Sequence, residues 1–245
     1  MADTGTKTPR ERYRTQVRTE IKDHAWEQIA SAGASALSLN AIAKQMGMSG
    51  PALYRYYASR DELITELIKD GYRSLADTFH TVAASGADLA ALAHALRRWA
   101  LADPQRYFLL YGTPVPGYHA PDDTTAISSE IMATLLDACA ALPAPPSSDP
   151  ASAPEQPSGQ PSQQPADSPA AAFTAHLADH RKWAGDHPAP PVVLHRALAF
   201  WTRLHGVLSL ELAGHFTGMS FDAEQLYAAE LDGLLADGGA LHAAR

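Results

Sequence analysis

An all-α fold is what this 245-residue chain predicts, and three observations carry the prediction. Apolar residues recur at helical spacing in one segment after another. Capping residues, glycines and prolines mark the ends of those segments, and no stretch reads as a strand. The clearest segment is SLNAIAKQMGMSGPALYRYY, from Ser38 to Tyr57, which spells two short helices joined by a tight turn. Leu39, Ile42, Ala43 and Met46 share one face of the first helix, and Ser38 caps it. Gly47 supplies the positive φ that ends it, and Met48 plugs the turn. Ser49 caps the second helix, with Pro51 in its first turn. Leu53 and Tyr57 point inward together, which leaves Ala52, Tyr54, Arg55 and Tyr56 facing out.

The remaining elements follow in order. Residues 1–9 are polar and predict a disordered tail. Arg10, Arg12, Arg14 and Arg18 lead into a helix with the apolar stripe Val17, Ile21, Ala25 and Ile29, ended by Gly33. Those arginines suit either a solvated charged segment or an arm that follows a DNA groove. After the motif, Ser59 and Glu62 form a capping box for a long helix reaching about Ala84, with Leu63, Ile64, Leu67, Ile68, Leu75 and Phe79 at helical spacing. A helix over Asp88–Ala102 stops at Asp103-Pro104 and restarts over Gln105–Tyr111. Gly112 to Pro121 is a loop, and helix resumes from about Asp123 to Leu142.

The segment 143–169 holds nine prolines and no large apolar residue. It cannot bury enough surface to offset its ordering entropy, so a disordered, exposed insertion is expected. Ser168-Pro169 then starts a helix to about Trp183. The longest apolar helix spans Val192–Phe216, ended by Thr217-Gly218, and its Gly206 and Gly214 suggest close backbone approach. A final helix covers Asp222 to about Ala236, with Gln225 as capping partner and Phe221, Leu226, Leu231, Leu234 and Leu235 as contacts. The last two helices are a plausible dimer interface.

Composition narrows the classes. A hydrophobic content of 46% is enough to build a core, and no apolar run approaches the roughly 20 residues that span a bilayer. The N-terminus lacks a signal-peptide core, and one cysteine excludes a disulfide framework, so the cytoplasm is the expected location. The net charge of −8 is unevenly spread. From Lys7 to Arg60 nine Lys and Arg face four Asp and Glu, whereas beyond Arg60 ten face 22. A basic head followed by an acidic remainder is the pattern of a phosphate-binding module attached to a body that avoids nucleic acid.

The short turn, Ser-Gly-Pro, the Leu-Tyr-Arg-Tyr-Tyr run and Ser59-Arg60-Asp61-Glu62-Leu63 together resemble the tetracycline-repressor (TetR) family of bacterial regulators, closely over Thr15 to Tyr72. WTRLHGVLSLELAGH, from Trp201 to His215, is similar to the C-terminal domain of a subgroup with a Trp-His-Gly pattern. The resemblance implies a DNA-binding head over 10–60, with the motif at 38–57, and a helical regulatory and dimerisation domain over 61–245. It implies a homodimeric repressor that binds double-stranded palindromic operator DNA and is released by a small, largely apolar effector. Geometry and resemblance together put Gly50, Pro51, Ala52 and Arg55 near base edges, with Ser38, Lys44, Ser49, Tyr54, Tyr56 and Arg60 at phosphates. An exposed Arg60 at a helix start is on the wrong end of the dipole, which a phosphate would compensate.

An effector cavity is expected beside the long helix, with Tyr72, Phe79, Trp99, Phe108, Tyr111, Trp201 and His205 as candidates, and His205 with Glu211 as the polar pair. Aromatic residues at helical spacing also suit a plain core. His176 and His180 stand i, i+4 but lack a third ligand, and no catalytic motif appears, so neither metal, cofactor nor enzyme activity is expected. The competing classes are a protein-interaction module acting through the proline-rich insertion and a regulator without a ligand.

Overall fold

The computed structural model describes residues 8–112, 121–142 and 168–240. Among them stand ten α-helices and no strand, as an all-α fold requires. The expected tail over 1–7, most of the loop before Pro121 and the proline-rich insertion over 143–167 lie outside the described residues. The chain divides into two compact units: Met1–Ser74 with Asp103–Thr125, and Leu75–Ala102 with Ala126–Arg245.

In the first unit, α1 spans Pro9–Ala32. It starts inside the stretch expected to be a tail. Thr8 accepts from the Glu11 amide while the Glu11 carboxylate accepts from the Thr8 amide, a complete capping box followed by Pro9 at the first helical position. Its buried residues are the predicted stripe, Val17, Ile21, Ala25 and Ile29. Gly33 ends the helix at φ 78°, and a short 3-10 turn over Ala34–Ala36 leads to α2, Leu39–Gln45. Ser38 caps α2 by accepting from the Ala41 amide, and Gly47 takes φ 65° in the turn.

Two expectations change at the second helix of the motif. α3 covers only Gly50–Leu53, because the chain tightens there: the Tyr56 amide bonds the Leu53 carbonyl at 2.8 Å and the Arg55 amide reaches the Ala52 carbonyl. The Ser49 side chain makes no capping bond, so its carbonyl alone starts the helix, accepting from Ala52 and Leu53. α4, Arg60–Ala84, contributes its first half to this unit. Ser59 accepts from the Glu62 amide, and Glu62 reaches one residue further back than expected, to the Ala58 amide. One core joins these elements, with Ile21, Ile42, Leu53, Tyr57, Leu63 and Leu67 fully buried. α6, Pro104–Tyr111, capped by Asp103, adds Leu109 to that core. It passes so close to Gly71 that a Cβ there would lie 2.7 Å from Leu110.

The second unit holds the rest of α4 with α5 (Leu89–Ala102), α7 (Asp122–Ala141) from Ala126 onward, α8 (Pro169–Asp179), α9 (Pro191–Leu212) and α10 (Ala223–Ala240). α8 stops four residues short of Trp183, which instead joins a 3-10 turn over Lys182–Ala184. α9 likewise ends at Leu212, so Gly214 is not a helix-interior glycine. It sits at φ 77°, in the turn that leaves the helix. Gly206 does lie inside α9, but a Cβ there would meet nothing within 4 Å among the described residues, so no close approach among them explains it. At α10 the cap is the Asp222 carboxylate, which accepts from the Glu224 amide. Tyr227, Leu231 and Leu234 are buried, whereas Phe221 is exposed.

A partly buried ion pair joins α5 to α9, since both guanidinium nitrogens of Arg97 bond the Glu211 carboxylate at 3.0–3.2 Å. Glu211 is therefore the partner of Arg97 and not of His205. The same Arg97 lies 5.6 Å over the ring of Tyr227, whose hydroxyl donates to the Ala93 carbonyl, and this ties α10 to both helices.

Ile42 is fully buried among α1, α3 and α4, so Ile42→Ala should destabilise the first unit by about 2–5 kcal/mol. Chemical denaturation followed by circular dichroism checks the value.

Candidate nucleic-acid interface

The surface around α2 and α3 is shaped by what holds it from behind. Leu53 and Tyr57 are fully buried, which leaves Tyr54 exposed at 45%, Arg55 exposed, and Ala52 and Tyr56 half-buried. Arg18 of α1 fixes the far end of this segment. It donates to the Tyr56 carbonyl at 3.0 Å, stacks 4.3 Å over the Tyr57 ring and pairs with Glu66 of α4 at 3.3 Å. Burial, offset in part by Arg18, pushes the Tyr57 hydroxyl up to about 12, so it stays neutral. Gln28 does the matching work at the other end, where its side-chain oxygen accepts from the Ser38 amide at 2.9 Å. Neither positioning role was evident from the sequence, because a polar residue beside an apolar stripe carries no local signal of its distant partner.

The predicted site residues gather on this unit. Lys44, Ser49, Pro51, Tyr54 and Arg55 are exposed, and Ser38, Gly50, Ala52 and Tyr56 are half-buried. Asn40, absent from the sequence-derived set, is exposed with its side-chain oxygen next to Gly50. The Lys44 and Arg55 side chains have no ion pair or hydrogen bond among the described residues, so their charge is uncompensated within the unit. Arg60 differs. Its guanidinium donates to the Ala34 carbonyl at 2.8 Å and lies 3.6 Å from Asp61. An internal carbonyl and carboxylate thus compensate the arginine that the helix-dipole argument assigned to an outside anion.

The aromatic residues expected around an effector divide between the units. Tyr72, Phe108 and Tyr111 belong to the first, where Tyr111 packs 6.0 Å edge-on to Tyr72 and 5.4 Å from Tyr107. Phe79, Trp99, Trp201 and His205 belong to the second; Phe79 and Trp99 are buried in its core, and His205 lies 4.3 Å from Trp201. The second unit also carries an open depression of about 560 Å³. Ala83, Ala133, Thr134 and Ala138 form much of its wall, with His80, Glu130 and Asp137 as its polar groups. None of the seven aromatic and histidine candidates lines it. Among the described residues no group of histidines, cysteines and carboxylates could hold a metal ion, and no helix is long and apolar enough to cross a membrane.

Comparison with known proteins agrees with this geometry. Residues 21–67 match the model for bacterial regulatory proteins of the tetR family, and residues 89–234 match the tetracyclin repressor-like C-terminal domain. The chain belongs to the TetR family. Two curated relatives, the HTH-type transcriptional regulators Rv1816 of Mycobacterium tuberculosis and Mb1846 of Mycobacterium bovis, are each 47% identical over 135 residues. These matches cover 52% of this chain and 58% of each relative, so the chain spans under two thirds of the length of the curated proteins it matches. The crystal structure of a regulatory protein, SCO4313, is 66% identical, with a TM-score of 0.78 over 94% of this chain and all of that one. A Rhodococcus protein of unknown function, 18% identical at a TM-score of 0.57, shares the fold alone. The TetR family is a class of regulators and not of enzymes.

One titration in the second unit of this TetR-family chain is testable. Burial lowers the His205 imidazole from 6.5 to about 4. The unfolded chain therefore takes up a proton that the folded chain refuses, so the contribution of neutral His205 is full above pH 6.5 and is lost as the pH falls through 4. His205→Gln should be the less stable protein at pH 7 and should gain on the wild type by on the order of 2 kcal/mol as the pH drops to 4. Paired unfolding curves across that range check the sign.

Proposed function

We propose that this TetR-family chain is a transcriptional repressor that binds a palindromic operator as a homodimer in the cytoplasm and is released by a small effector. One observation supports the DNA reading most directly: Arg55 is exposed and uncompensated on a segment whose backbone is locked by Arg18, Leu53 and Tyr57. A guanidinium presented by a fixed helix end can donate two parallel bonds to the O6 and N7 of guanine, the commonest specific contact in the major groove. Gly50, Pro51 and Ala52 carry little side chain, so base edges can approach the start of α3. Ser38, Lys44, Ser49, Tyr54 and Tyr56 surround that point with phosphate-binding groups, and Arg60 acts by holding the turn before α2. The head is then residues 10–60, supported by the first half of α4.

For dimerisation, the support is the outer face of α9. Val192, Thr202, Arg203, Gly206 and Leu210 are exposed along it, and Leu210 is 45% exposed. Two such faces crossing at Gly206 would bury what one chain leaves open, and a symmetric dimer would present two recognition helices to half-sites about 34–36 Å apart or a multiple of that. For the effector, α4 runs from the first unit into the second. A largely apolar ligand held in the second unit against His80 and Ala83 of α4 would bias that helix, and operator and effector would oppose each other reciprocally.

Arg55→Ala should lower operator affinity by about 1–3 kcal/mol and relax preference at one base pair in each half-site. Fluorescence anisotropy with duplexes substituted position by position measures both, and an affinity loss equal on every sequence would remove Arg55 from base recognition. Leu210→Glu should shift the chain towards monomer in sedimentation equilibrium. An unchanged mass would place the interface elsewhere.

A further inference from the structure

Two sets of cations stand out among the described residues of the first unit. Arg18 and Lys69 pair with Glu66, Lys22 with Asp70, Arg60 with Asp61 and Arg106 with Asp103. The side chains of Arg10, Arg12, Arg14, Lys44 and Arg55 have no ion pair or hydrogen bond among the described residues. Lys44 and Arg55 belong to the motif, but the three arginines do not. They stand on the start of α1, where every residue from Thr8 to Gln16 is exposed and Val17 is the first to be buried. The helix therefore runs eight residues past its own core, about 12 Å.

An overhang of that length is marginal without support, since most helical stability comes from packing. Here the support is local: Thr8 and Glu11 satisfy each other's amides at 2.8 and 3.3 Å, and Pro9 presets the first turn. The capping box gives a built helical start. What that helix displays is also specific. Arg10, Arg14 and Arg18 stand at i, i+4 and i+8 and form a single row, with Tyr13, 65% exposed, beside it. The row ends at Arg18, which is bonded to the Tyr56 carbonyl and stacked on Tyr57. It thus starts at the exit of the recognition helix and runs outward about 6 Å, just over one helical turn, per arginine. The buried face of α1 continues past the core as arginine, so it suits a negatively charged occupant and not an apolar one.

We propose that residues 9–16 are a cationic arm that binds the phosphate backbone of DNA beside the base pairs read by α3. The proposal rests on the DNA reading above and extends its footprint. Charge and continuity select this occupant: Glu11 is the only carboxylate on the exposed start of α1, and it is engaged in the cap. Arg10, Arg14 and the Tyr13 hydroxyl contact phosphates, and they add affinity without adding sequence preference.

The test uses the full chain and a duplex enriched by it from a random-sequence library, with affinity measured over a range of salt concentrations. Removing both arginines, as Arg10→Ala with Arg14→Ala, should flatten the slope of log K against log salt by about 0.9 for each phosphate no longer neutralised, and equally on a scrambled duplex. Melting temperatures matching the wild type keep this apart from misfolding. A second measurement needs no variant, because trimming the duplex back to the half-sites should lower the wild-type slope to that of the double variant. Slopes unchanged by both manipulations, while Arg55→Ala still weakens binding, would overturn the arm and leave the DNA reading standing. A wild-type chain that enriches no duplex would overturn both.

Discussion

The four residues of α3 cannot be helical alone, because the first turn of a helix costs more order than its single bond returns. Everything presented around that helix therefore depends on how it is held. Leu53 and Tyr57 anchor it from below at full burial, and Arg18 closes the far end by reaching across from α1 to the Tyr56 carbonyl while pairing with Glu66 of α4. A short helix held on three sides is a rigid platform. In the proposed reading, that rigidity would let Arg55 discriminate between bases, since a donor pair wandering by an ångström would lose the geometry that bidentate recognition needs.

Much of this was legible in the sequence because its causes are local. The stripe Val17, Ile21, Ala25 and Ile29 is a 3.6-residue period, and those four are the buried residues of α1. Gly47 had to be a positive-φ residue for the turn to close, and it is one. Ser38 and Ser168 accept the amides that their reading as caps implies, whereas the Ser49 side chain does not. Where the expectations slipped, the cause was tertiary or a competing local bond. α3 ends four residues before Tyr57 because its carbonyls accept 3-10 bonds, and α9 ends before Gly214 because that glycine takes the left-handed conformation.

Long-range pairs were the least legible of all. Arg97 and Glu211 are 114 residues apart, and their bond was hidden behind the nearer pairing of His205 with Glu211. A partly buried pair of this kind is costly to break, because the remaining charge would be stranded. It explains why Arg97 tolerates burial on an otherwise apolar face of α5. The aromatic residues gave the opposite lesson. Phe79 and Trp99 fill core, and the depression beside α7 is walled largely by alanine and threonine, whose presence around a cavity no periodicity announces.

In the proposed reading, the fixed head of a symmetric TetR-family dimer reads DNA sequence. Sequencing the duplexes retained by the purified full chain from a random library tests it most directly. The expected result is one enriched motif made of two inverted half-sites, their centres one helical turn or a multiple of it apart. Recovery of fragments that share no motif, or a motif without inverted symmetry, would contradict it.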